Sequence, residues 1–152
     1  MTRTGRRWHA LAVLVLAGMT AASLRADLKA ALAEPNLEKR SKLALDTAED
    51  AYKAVRSAYE KGDNAQVAAA AKELVESVDL AYTSLTGTGK DPRKSPKWFK
   101  KAEIETRDLL RRLSSFQEQM SFDDRPMLDA AKAKLQEVHD HLLVGLMEGK
   151  HK

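Results

Sequence analysis

Three features of this 152-residue chain predict an all-α fold, an antiparallel up-down-up-down four-helix bundle with room for a short extra N-terminal helix. Alanine, leucine, lysine and glutamate are abundant while aromatic residues make up only 5% of the chain, a composition that favours helix. Apolar side chains recur every three or four positions over long stretches. The seven glycines and four prolines fall mainly between those stretches.

The first residues set the boundary of the domain. Arg3, Arg6 and Arg7 precede an apolar run from Ala10 to Ala22, and small residues follow as far as Ala26, which is the pattern of a secretory signal peptide. A membrane span needs about 20 predominantly apolar residues, and Gly18 and Thr20 dilute this shorter run. Cleavage is expected after Ala22 or Ala26, with Ala26 preferred, leaving residues 27–152 as one helical domain. Because Trp8, His9 and Ala10 follow Arg6 and Arg7, that pair reads as an ordinary positive n-region and not as a twin-arginine signal. An exported protein, periplasmic or secreted, is the expectation.

Charge and cysteine content narrow the function classes. Of the 26 Lys and Arg, four lie before Asp27, and none of the 22 Asp and Glu does, so the mature chain carries twenty-two of each. A near-neutral domain gives no global argument for nucleic acid or membrane binding. With no cysteine, a lipid-modified amino terminus, a disulfide, a thiolate ligand and covalently attached haem are all excluded.

The helices follow in order. Asp27 to Ala33 predicts a short helix packed across one end, stopped near Glu34 and Pro35. The first long helix runs from about Asn36 to Lys61 on a stripe of Leu45, Ala48, Tyr52, Val55 and Tyr59, and Gly62 closes it. Asp63 caps the next helix, with Gln66 three residues later completing a capping-box pattern. Val67, Ala71, Leu74, Val78, Ala81 and Leu85 form its seam, which ends at Gly87 or Gly89. After a basic connector, Ser95 as cap and Pro96 at the first position start the third helix. Its stripe of Phe99, Ala102, Thr106, Leu109, Leu113, Phe116 and Met120 runs to a break near Ser121. Asp123, Asp124 and Pro126 restart the chain, and Leu128, Ala131, Leu135, Val138, Leu142 and Leu146 carry the fourth stripe to Gly149.

The most suggestive local feature is basic. Lys90, Arg93, Lys94, Lys97, Lys100 and Lys101 surround Trp98 and Phe99, with Asp91 the one acid before Glu103. Cations in the first turn of a helix oppose its dipole and cost roughly 0.3–1 kcal/mol each, so an anionic partner is expected there. The candidate contact residues are Lys94, Lys97, Trp98, Lys100 and Lys101, and the partner is a protein or an anionic envelope component, with self-association as another possibility. The plainer reading has Trp98 and Phe99 capping the bundle end beneath solvated lysines. Asp46, Glu49 and Asp50, with Lys53 four residues after Glu49, read as a solvated face, as do Arg107, Arg111 and Arg112 with Glu103 and Asp108.

Cofactor and catalytic signals are sparse. His139 and His141 are the only helical histidines and point to different faces; Glu137 and His141 supply a weak metal pair. An exported bundle with His and Met resembles the periplasmic b-type cytochrome bundles, and that resemblance implies a haem held by Met120 or Met127 opposite His139 or His141, making a small-ligand carrier of haem or metal the alternative function. No cofactor is expected from the residues alone, and the domain reads as non-catalytic: no nucleophile has a neighbouring base, and no glycine-rich phosphate loop is present. Ala58-Tyr59-Glu60-Lys61-Gly62-Asp63 resembles the turn of a tetratricopeptide hairpin, but no repeat of about 34 residues recurs, so it reads as a generic helical hairpin.

Overall fold

A computed structural model describes residues 25–148, and every regular element among them is helical. Helix α1 covers residues 25–33, α2 Leu37–Glu60, α3 Asn64–Gly87, α4 Pro96–Gln119 and α5 Asp129–Glu148, with a single 3-10 turn at Arg125–Leu128 leading into α5. Arg25 and Ala26 of the expected leader lie in α1. The rest of the leader, Gly149 and the terminal His/Lys residues lie outside the described residues. Among the described residues no helix is long and apolar enough to cross a membrane.

Local chemistry places the helix ends. Asn36 caps α2 by accepting from the Lys39 amide at 3.0 Å. At the other end Gly62 adopts φ +70°, its amide donates to the Tyr59 carbonyl, and the Asp63 amide donates to that of Ala58. This paired closure suits a residue without Cβ. The Asp63 side chain then accepts from the Gln66 amide at 3.0 Å and starts α3. The capping box stays half formed, because the Asp63 amide is already committed to Ala58 and leaves nothing for the Gln66 side chain to bond. Ser95 sits at the N-cap of α4 but makes no side-chain cap bond, contrary to the expectation for that residue.

The expected stripes are the buried faces. Leu45, Ala48, Tyr52 and Val55 of α2, all six seam residues of α3 and all seven of α4 are buried, as are Leu128, Ala131, Leu135, Val138 and Leu142, while Tyr59 and Leu146 are partly buried. Alanines at 44, 48, 51 and 58 of α2 and at 70, 71 and 81 of α3 are also buried. Such small side chains let two backbones approach closely, and α2 and α3 form the most extensive helix pair. Burying these stripes stabilises by about 25 cal/mol per Å² of apolar surface.

Tyrosines on α2 reveal the direction of α4. Tyr52 Oη donates to the Arg112 carbonyl, and Tyr59 packs edge-on to Phe116 with ring centroids 5.7 Å apart. The Tyr59 hydroxyl also accepts from the Ser121 amide at 2.9 Å and donates to Asp124 Oδ2 at 3.3 Å, so contacts advance together along both chains and α4 runs parallel to α2. On the other side Lys134 reaches Asp79 and His141 stacks on Tyr82, which makes α5 parallel to α3. Helices α4 and α5 pack together, α3 touches α4 only slightly, and α2 and α5 do not meet among the described residues. Gly145, although inside α5, faces the connector: a Cβ there would stand 3.3 Å from Pro92 Cγ.

Two expectations are corrected. Helix α1 does not lie across an end, since Leu28 and Leu32 line a cleft with Gln66, Ala69, Ala70 and Glu73 in the N-terminal half of α3. Nor does Glu49 pair with Lys53. Lys53 pairs with Asp50 at 3.1 Å, and both Glu49 oxygens accept from the Arg112 guanidinium across the α2/α4 interface at 2.7 and 2.5 Å.

Candidate functional site

The basic segment is built by a turn and a helix start. The Asp91 carboxylate accepts from the Arg93 amide and its carbonyl from the amides of Lys94 and Ser95, a local fold that brings the chain round into α4. Pro96 takes the first helical position. Phe99 then turns into the core at 3% exposure, and Trp98 packs half-buried against its edge. Phe99 therefore closes the end of the core, as the plainer reading required, while Trp98 keeps an accessible part of its ring.

Cations gather on that ring. Lys97 Nζ stands 5.5 Å and Lys101 Nζ 6.0 Å from the Trp98 ring, within the range of cation–π attraction. A shallow hollow of about 370 Å³ beside it is lined by Glu38, Lys90, Ser95, Pro96, Lys97, Trp98 and Lys100. Lys90 is neutralised by Glu38 at 2.7 Å, and Lys101 reaches Glu105 at 3.8 Å. Lys94, Lys97 and Lys100 are exposed and form no ion pair among the described residues. Of the five candidates, the structure brings Lys97, Trp98 and Lys100 to one hollow. Lys101 holds the ring from one turn further on, and Lys94 stands in the preceding turn. With Ser95 contributing no cap bond, no side chain among the described residues satisfies the first-turn amides of α4, and those amides add positive potential to that of the lysines.

Both members of the weak metal pair make other contacts. Glu137 pairs with Lys134 at 2.9 Å, whereas the His141 ring lies tilted against Tyr82 with centroids 5.6 Å apart. Among the described residues no group of three or more His, Asp or Glu is arranged to hold a metal ion. His139 Nδ1 lies 3.5 Å from Glu103 Oε1 on α4, and Met120 is seventeen residues further along the chain, about 25 Å at 1.5 Å per residue. Met127 precedes His139 on the same chain by twelve residues, about 18 Å of helix. The His and Met ligands that the cytochrome resemblance implied do not face each other.

Three features of the structure are absent from the sequence-based list of sites. One is the recess of about 660 Å³ between α2 and α4, where Leu45, Ile104 and Leu109 are flanked by Asp46, Glu49, Glu105, Asp108 and Arg112. The acids and arginines assigned to solvated faces meet here; the Glu49 carboxyl is held below the usual carboxylate range by its hydrogen bonds to Arg112. Another is the Glu103–His139 contact, with Glu103 also 3.5 Å from Arg107. The third is Glu73, a carboxylate at 7% exposure whose Oε1 has no hydrogen-bond partner. Its clue was position: Gln66, Ala70, Glu73, Ser77 and Ser84 form a second seam beside the apolar one on α3, at the same helical spacing.

Compared with known proteins, the chain matches no family model and shows no significant similarity to any curated sequence.

Proposed function

We propose that this chain is an exported, non-catalytic four-helix bundle, ordered α2–α3–α5–α4 around its core, that acts by contact. Its contact surface is the start of α4, and the partner is a protein or envelope component that presents a dense array of negative charge. The observation that carries this reading is the cluster of Lys94, Lys97 and Lys100, which form no ion pair among the described residues, beside Trp98 at a helix start where Ser95 makes no side-chain cap bond. Like charges gathered against a helix dipole cost stability in the free protein. An anion bound there recovers that cost, and the accessible face of Trp98 adds an apolar contact next to the charges.

The test is a salt titration of binding to poly-glutamate and to envelope extract, comparing the unmutated chain with a Lys94→Glu/Lys97→Glu/Lys100→Glu variant. Screening at high salt should weaken binding by the unmutated chain, and the variant should lose at least about tenfold in affinity at low salt, equivalent to about 1.4 kcal/mol. Equal binding by the two proteins at low salt, with both melting cooperatively, would remove this surface from consideration. Lys101 is left out of the variant because a glutamate there would face Glu105 one turn away.

A further inference from the structure

We propose that the cleft between α1 and α3 binds a small aliphatic amine carrying a hydrogen-bond acceptor at its far end. The Glu73 carboxylate takes the ammonium group, and the Gln66 carboxamide donates to the acceptor. This site is separate from the basic surface on α4 and does not depend on it.

The cleft has a volume of about 620 Å³, within the range of small-molecule sites. Leu28, Leu32, Ala69 and Ala70 give it apolar walls. Two buried polar atoms belong to side chains lining it, and both lack a hydrogen-bond partner: Glu73 Oε1, an acceptor, and Gln66 Nε2, a donor. The two residues are seven apart on α3, so they share a face two turns apart, with backbones separated by roughly 10 Å. The pairing of one free acceptor with one free donor specifies a ligand that has the complementary group at each end.

Chemistry singles out Glu73 among the buried polar groups. Ser77, Ser84 and Thr106 also carry hydroxyls without partners, but a hydroxyl on a helix can rotate toward a carbonyl of the preceding turn. An ionised carboxylate only accepts and has no such recourse. The other buried glutamate, Glu103, has Arg107 and His139 each at 3.5 Å. Glu73 forms no ion pair among the described residues: of the three cations lining the cleft, Lys72 is engaged by Glu76 at 3.8 Å, and Arg25 and Lys29 do not reach ion-pair distance of the Glu73 carboxylate. Burial pushes the Glu73 carboxyl above its ordinary value, with the neighbouring Glu76 adding to the effect and Arg25 opposing it. Arg25 acts on Glu73 only from beyond ion-pair distance, so a cation delivered by a ligand supplies the direct contact that is lacking, and the apolar side chains accommodate the methylene chain that joins its two ends.

The experiment titrates the full chain with 6-aminohexanol, n-hexylamine and 1-hexanol, reading backbone amide shifts by NMR. The expected result is saturable binding of 6-aminohexanol with shifts centred on residues 66–76, and binding of 1-hexanol weaker by at least about tenfold, since it lacks the charge-assisted bond. Glu73→Gln should weaken both amines by a similar factor while its melt stays cooperative. Gln66→Met should reduce 6-aminohexanol to the affinity of n-hexylamine. The proposal is overturned by an absence of saturable shifts with either amine at millimolar concentration, by shifts centred elsewhere, or by 1-hexanol binding as well as 6-aminohexanol to the unmutated chain. Unchanged amine binding in Glu73→Gln would overturn it equally. None of these measurements involves an α4 residue, so the proposed contact function stands or falls separately.

Discussion

Replacing Glu73 should make the protein more stable, in a way that depends on pH. The residue is 7% exposed, its Oε1 is buried without a hydrogen-bond partner, and it forms no ion pair among the described residues. An uncompensated buried polar group costs about 1–3 kcal/mol, and Glu73→Met removes it while keeping the unbranched shape of the side chain. Taking the lower half of that range, because the cleft admits water, the gain should be about 1–2 kcal/mol, or roughly 3–8 °C in Tm for a domain of this size. Burial raises the folded-state value above the ordinary glutamate value of 4.5. Below 4.5 both states hold the proton and there is no penalty. As pH rises from 4.5 through the folded value, the unfolded chain releases its proton first and the native state loses stability, after which the penalty stays constant. The assay is urea denaturation of both proteins from pH 3.5 to 8, read as the difference between them. The stability gap should be smallest at the acid end, widen above pH 4.5 and level off. A variant less stable than the unmutated chain at pH 7, or a gap that does not change with pH, would show that Glu73 is already compensated in the native protein.

Two further predictions concern the contacts between α2 and α4. Arg112 holds the Glu49 carboxyl below its ordinary value, chiefly through their hydrogen bonds; this pair contributes stability that is present above pH 4.5 and lost as pH falls through the depressed folded value. With the two side chains 32% and 36% exposed, Arg112→Met should cost only about 0.5–1.5 kcal/mol at pH 7 and less near pH 3, measured by the same denaturation series. Tyr59→Phe leaves the Ser121 amide and the Asp124 carboxylate without a shared hydroxyl and should cost about 1 kcal/mol, whereas Tyr52→Phe, which loses one 3.3 Å bond to the Arg112 carbonyl, should cost less; calorimetric melts would rank them.

The positions of the long helices were legible because each is amphipathic at a single period and ends at a residue with a local reason to end it. Every seam residue from Val67 to Leu85 is buried, and Gly62 turns the chain where a positive φ is needed. Which helices adjoin was not legible. The stripes on α2 and α4 look alike in sequence whether the two helices run side by side or diagonally across a core, and only contacts such as Tyr59 with Ser121 distinguish the arrangements. Partner choice among charges was hidden for the same reason: Glu49 has Lys53 one turn away, but a bidentate guanidinium on a neighbouring helix competes better than a flexible ammonium on its own. The basic cluster around Trp98 was visible because its residues are close in sequence. The α1–α3 cleft was not, because Gln66 had a plausible role as a capping-box residue and Glu73 looked like one more charge on an Ala-rich helix.

That disguise bears on what the cleft is for. A glutamine three residues after a capping aspartate normally returns a bond to the cap, but here the Asp63 amide is taken by Ala58 and the Gln66 side chain is left over. Folding would be served as well by an apolar residue at position 66 and better by one at 73, since the surrounding core already closes on Leu74, Val78 and Val67 at 0% exposure. Neither polar side chain is needed to end a helix or set a crossing, and each carries a desolvation cost. Sequences that specify one structure tend to break local rules where a function requires it. The same holds at the start of α4, where a serine in the capping position makes no cap bond and Lys97 occupies the turn that favours acids, with Lys94 and Lys100 on either side of it. Two departures of opposite character, a buried anion and an array of exposed cations that form no ion pairs among the described residues, match the two proposed occupants: a small cation in the cleft and an extended anion on the surface. If both substitutions, Glu73→Met and the Lys94/Lys97/Lys100 reversal, leave the fold intact, the departures are dispensable for folding and the binding assays alone decide their roles.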